Sequence, residues 1–107
     1  MDNNEILRKL DILSAIGLIA GASKGDKEGV EKLLSTGVDV NMQMPGGPTA
    51  LMAAASNGHI EMVEFLLGKG ANVNARGDGG QTALKLAYAK NHTAIVVILL
   101  TNGATRN

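Results

Sequence analysis

Apolar residues arrive in short bursts at helical spacing, and most bursts are followed by a glycine. Ile6, Leu7, Leu10 and Leu13 share one face of a helical piece running from about Asn4 to Leu13. Val30, Leu33 and Leu34 set a spacing that returns as Val63, Leu66 and Leu67, and again as Val96, Leu99 and Leu100. Gly37, Gly70 and Gly103 follow these bursts, where a helix can end in a left-handed residue. A shorter, alanine-rich segment begins at Leu51 and another at Leu84. Thr49 and Thr82 stand before them as N-caps, with hydroxyls able to satisfy free amides of the first turn. Gly58 is placed to end the first of these segments, and Asn91 holds the same place after the second. The stretches 38–48 and 71–81 are rich in glycine and polar residues and predict hairpin turns. The pattern is therefore all-α: short helix pairs separated by protruding loops.

The bursts are copies of one unit. Gly47-Pro48-Thr49-Ala50-Leu51-Met52-Ala53-Ala54 aligns with Gly80-Gln81-Thr82-Ala83-Leu84-Lys85-Leu86-Ala87 at a shift of 33 residues. The same shift carries His59 to His92, Val63 to Val96 and Gly70-Ala71 to Gly103-Ala104. Run backward, it carries Gly58 to Gly25, Glu61 to Glu28 and Val73-Asn74 to Val40-Asn41, with no insertion.

A period of this length, with Thr49-Ala50-Leu51-Met52-Ala53-Ala54 and Leu66-Leu67-Gly68-Lys69-Gly70-Ala71-Asn72-Val73-Asn74-Ala75, resembles the ankyrin-repeat family. The family's motif proline is replaced by Ala50 and Ala83, and its motif histidine by Met52 and Lys85. The resemblance implies one solenoid of stacked helix-turn-helix units with protruding β-hairpin loops. Residues 1–13 are then expected to form an N-terminal capping helix, 14–43 a degenerate first repeat, 44–76 the second, and 77–107 the third with a C-terminal cap. It also implies a non-catalytic adaptor that binds a protein through its hairpin tips and inner helices. Carried over by register, the partner-binding positions are Gln43, Pro45, Gly46, Pro48, Ser56 and Asn57 in the central repeat. In the third they are Arg76, Asp78, Gly79, Gln81, Tyr88, Ala89 and Lys90, and Ser23 and Lys24 extend the strip into the first. Asn41 and Asn74 are expected to bond the hairpin backbone; hydroxylation of such an asparagine is the alternative that the resemblance implies.

Composition narrows the partners. Lys plus Arg total 10 and Asp plus Glu total 10, which lacks the basic excess of a nucleic-acid binder. No apolar run is long enough to span a membrane. Arg8 and Lys9 before Ile12–Ala20 have the outline of a signal peptide, but Asp2, Glu5 and Asp11 oppose its positive start. An intracellular setting is the expectation, consistent with a chain that has no cysteine. Hydrophobic residues make up 45% of the chain, yet Phe65 and Tyr88 are its only aromatics, which suits thin layers of small aliphatics.

Candidate chemistry is sparse. His59 and His92 occupy equivalent places, so a ladder position explains them better than a metal or acid/base pair. Gly77-Asp78-Gly79-Gly80 lacks the Lys-Ser/Thr of a phosphate loop and reads as a hairpin tip. Glu28, Glu31, Glu61 and Glu64 read as solvated outer faces. No catalytic residue, metal site or cofactor is expected. Met44, on a hairpin, is a candidate soft contact. The segment Ala94 to Leu100 carries no charge, which marks Ala94, Val97 and Ile98 as candidates for the cut face of a longer array, for self-association as a homodimer, or for a docked partner.

Overall fold

The computed structural model describes residues 2–106 and contains six α-helices. They are α1 (Asn3–Lys24), α2 (Lys27–Ser35), α3 (Ala50–Ser56), α4 (Ile60–Gly68), α5 (Ala83–Ala89) and α6 (Thr93–Thr101). Each odd helix reverses tightly into the even one after it, giving three layered pairs. Helices α1, α3 and α5 stack side by side as the inner row, and α2, α4 and α6 form the outer one. The envelope measures 46 × 30 × 20 Å.

Capping fixes where the helices begin. Thr49 Oγ1 accepts from Met52 N, and Thr82 Oγ1 accepts from Lys85 N, both at 3.2 Å. Asp2 caps α1 through Glu5 N at 2.8 Å, and Asp26 caps α2 through Gly29 N at 3.0 Å. The caps stand although the motif proline is absent, because the hydroxyl and not the ring satisfies the orphan amide.

Small residues let the layers close. Ala50, Ala54, Ala55, Ala83 and Ala87 are at most 1% exposed, so inner helices approach almost backbone to backbone. Leu18, Leu51, Leu66 and Leu99 fill what remains, with Val30, Val63 and Ile95. Among the described residues no buried side-chain N or O lacks a hydrogen-bond partner.

Two expectations change. The segment 1–13 is not a separate cap: α1 is one helix of 22 residues, which includes the inner helix of the first repeat. Nothing between Asn3 and Lys24 is a proline, and Gly17 and Gly21 are tolerated as single helical glycines that lie against α2. Ile6, Leu7, Leu10 and Leu13 do not cover the first repeat either, because all four are exposed. The loops between layers also differ from strand-built hairpins. No strand occurs among the described residues, and the turns are held by isolated bonds such as Gly47 N to Met44 O and Gly77 N to Gln81 O.

Candidate binding face

Repeating side chains bolt each layer to the next and so fix the inner surface. His59 Nε2 lies 2.8 Å from the Ser23 carbonyl, and His92 Nε2 lies 3.0 Å from the Ser56 carbonyl. A carbonyl only accepts, so each ring carries its proton on Nε2. Asn57 Nδ2 donates to Ser23 O and Oγ in the same seam. At the loop side, Asn41 donates to Gly70 O and accepts from Asn72 N. Asn74 repeats this with Gly103 O and Thr105 N. Both asparagines therefore bond the neighbouring loop's backbone.

The loop tips lock together in the same way. Gln43 Nε2 donates to Gly47 O at 2.8 Å and to Arg76 O at 3.4 Å. Asp78 N donates to Gly46 O at 2.7 Å. Gly46 has φ +70°, and a Cβ there would collide with the Asp78 carboxylate, so this approach requires glycine.

Between the inner helices and the tips lies an open hollow of about 520 Å³. α1 supplies Ile16, Ile19, Ala20 and Ser23, and the first loop supplies Met44 and Pro48. α3 adds Met52, Ala53 and Ser56 with its C-cap Asn57, and Leu86 of α5 closes the far side. A second hollow of about 360 Å³ shares Pro48, Met52 and Leu86 and is bordered by Gly46, Gly77, Asp78 and Gln81. The two form one apolar floor with a polar rim, able to receive aliphatic side chains while the rim bonds a partner's backbone.

The register-derived positions divide among these places. Pro48, Ser56 and Asn57 line the main hollow, with Ser23; Gly46, Asp78 and Gln81 border the second. Pro45, Arg76 and Gly79 are exposed around the tips, and Ala89, Lys90 and Lys24 are exposed at inner-helix ends. Tyr88, 75% exposed, sits instead at the end of the stack. There it lines a hollow of about 440 Å³ with Leu84, Lys85, Val96, Leu100 and Arg106. Gln43 is only partly accessible, and its amide is engaged within the loops.

Met44, the candidate soft contact, is part of the floor. Ile16, Ile19, Ala20, Met52, Ala53 and Leu86 were missed. Their signal is the same shift of 33, which places Ile19-Ala20 in the columns of Met52-Ala53 and Lys85-Leu86. On α6, Val97 is 57% exposed and Ala94 is exposed, whereas Ile98 is half-buried and Ile95 and Leu99 are buried.

Among the described residues, no three His, Asp or Glu side chains gather as a metal site. No described helix is long and apolar enough to cross a membrane. No curated protein matches the chain by sequence. A family model for ankyrin repeats, in three copies, matches residues 18–107. That family is one of generally non-catalytic protein-interaction modules. With three helix pairs in one register and most of its length matched, the chain belongs to the ankyrin-repeat family.

Proposed function

We propose that this chain is an adaptor that holds a protein partner on its concave side. The partner inserts aliphatic side chains into the floor formed by Ile16, Ala20, Met44, Met52, Ala53 and Leu86. Pro45, Arg76, Asp78 and Gln81 frame the entrance and choose among partners by charge and shape. The observation that carries the reading is the apolar hollow of about 520 Å³, open to solvent and backed by a row of locked helices. A rigid floor loses little entropy on binding, so few contacts suffice.

The reading is tested by Ala20→Arg together with Ala53→Arg, which fills the hollow from two helices. Both positions are accessible, so the fold should survive. Affinity for a partner selected on the wild-type chain should fall by at least about tenfold. Binding of the double variant at wild-type affinity would move the site off this face.

A further inference from the structure

The last layer breaks three columns that the earlier layers keep apolar. Ala22 and Ala55 are both 0% exposed beneath the next layer, and the shift of 33 carries them to Tyr88, which is 75% exposed. Ile19 and Met52 continue as Lys85, and Val40 and Val73 continue as Arg106. These three side chains surround the hollow of about 440 Å³ at the end of the stack, whose remaining lining is Leu84, Val96 and Leu100. A fourth layer in the same register would meet Tyr88 where alanine allows close approach. It would also bury Lys85 and Arg106 without partners. A merely solvated end would intersperse charges of both signs. Here all ten acidic residues lie at or before Asp78, and the charged residues beyond it are Lys85, Lys90 and Arg106. Neither Lys85 nor Arg106 is in an ion pair among the described residues. Lys85 Nζ donates to Gly80 O at 3.0 Å, which steadies the ammonium and leaves its other hydrogens available.

We propose that this end of the stack docks an acidic segment of another protein, one that carries an apolar side chain between carboxylates. The apolar side chain enters the hollow, against Leu84, Val96, Leu100 and the Tyr88 ring. The carboxylates pair at the rim with the Lys85 ammonium and the Arg106 guanidinium, and the guanidinium can hold a carboxylate through two parallel bonds. A bare anion would leave the apolar floor unused. A second copy of the same face would set like charges together. A nucleic acid would call for a longer track of cations than this hollow offers. The hollow shares no residue with the concave floor, so failure here would leave the adaptor reading standing.

The probe is a fluorescent peptide with Leu-Phe between flanking glutamates, titrated with the full chain and followed by polarisation. It should bind with a Kd of roughly 10–100 μM. Replacing its glutamates by glutamines, or its Leu-Phe by Ser-Ser, should each weaken binding at least about tenfold. Lys85→Glu together with Arg106→Glu should weaken the glutamate peptide at least about tenfold and create binding of the same peptide with lysines in place of glutamates. Both positions are exposed, so the melting temperature should hold. Arg106→Glu alone, outside the helices, should cost at least about threefold and carries the test if the pair of changes disturbs α5. The proposal is overturned by no binding below about 1 mM, or by equal binding of the glutamate and glutamine peptides or of the Ser-Ser form. Undiminished binding to the charge-reversed chain overturns it as well. So does binding that survives charge reversal and is lost on Ala20→Arg with Ala53→Arg, which would place the peptide on the concave face.

Discussion

His59 and His92 explain a substitution that the repeats otherwise leave odd. The residue ending each inner helix is Gly25, Gly58 or Asn91, with φ of 74°, 78° and 62°. A Cβ at Gly25 would meet the His59 ring at 2.9 Å, and one at Gly58 would meet the His92 ring at 2.9 Å. Both of the chain's histidines are thereby used one layer back, and none is left to crowd Asn91. Gly58→Ala therefore carries two penalties, a left-handed backbone with a side chain and a ring contact. It should destabilise the fold by about 1–3 kcal/mol in urea unfolding. Asn91→Gly meets neither and should be neutral or more stable by up to about 1 kcal/mol. Equal effects at the two sites would mean that the histidine ring is not what demands glycine. Asn74→Ala, which removes bonds to Gly103 O and Thr105 N, should cost about 1–2 kcal/mol by the same measurement.

Among the elements, α1 joins two roles that the sequence separates. Its second half buries Ala15, Leu18 and Ala22 against the core, while residues 3–13 project with their apolar side chains exposed. Deleting residues 1–13 should leave the melting temperature within a few degrees of the full chain. Deleting residues 1–22 should abolish cooperative melting, because it strips three buried side chains and the inner helix on which α3 stacks. Circular dichroism melts of both truncations check this pair. Much of the fold was legible because local chemistry dictates it: Thr49 and Thr82 cap, Gly58 and Gly70 turn left-handed, and leucine pairs face inward. The unbroken α1 was not, because an apolar stripe reads the same whether a neighbour covers it or solvent meets it. The concave floor was only half legible. Tip positions follow from register, but Ile16 and Ile19 belong to a repeat whose opening motif has eroded. Only stacking α1 beside α3 reveals that they share a surface with Met52.

For the whole molecule, one continuous core runs from Leu18 through Leu51 and Leu66 to Leu99, with side-chain ladders at both edges. Layers that touch only their neighbours are stabilised by those neighbours, so three of them unfold together. Such a stack presents a stiff concave face, and that stiffness suits it to recognition. Binding should leave the inner helices where they are and order the partner instead. The most direct test is a titration of isotope-labelled chain with a selected partner, followed by its amide and methyl signals. The account predicts that shifts concentrate on Ile16, Ile19, Ala20, Met44, Met52, Ala53 and Leu86 and on the tips around Asp78. Shifts confined to the outer helices α2, α4 and α6, with the concave signals unmoved, would contradict it.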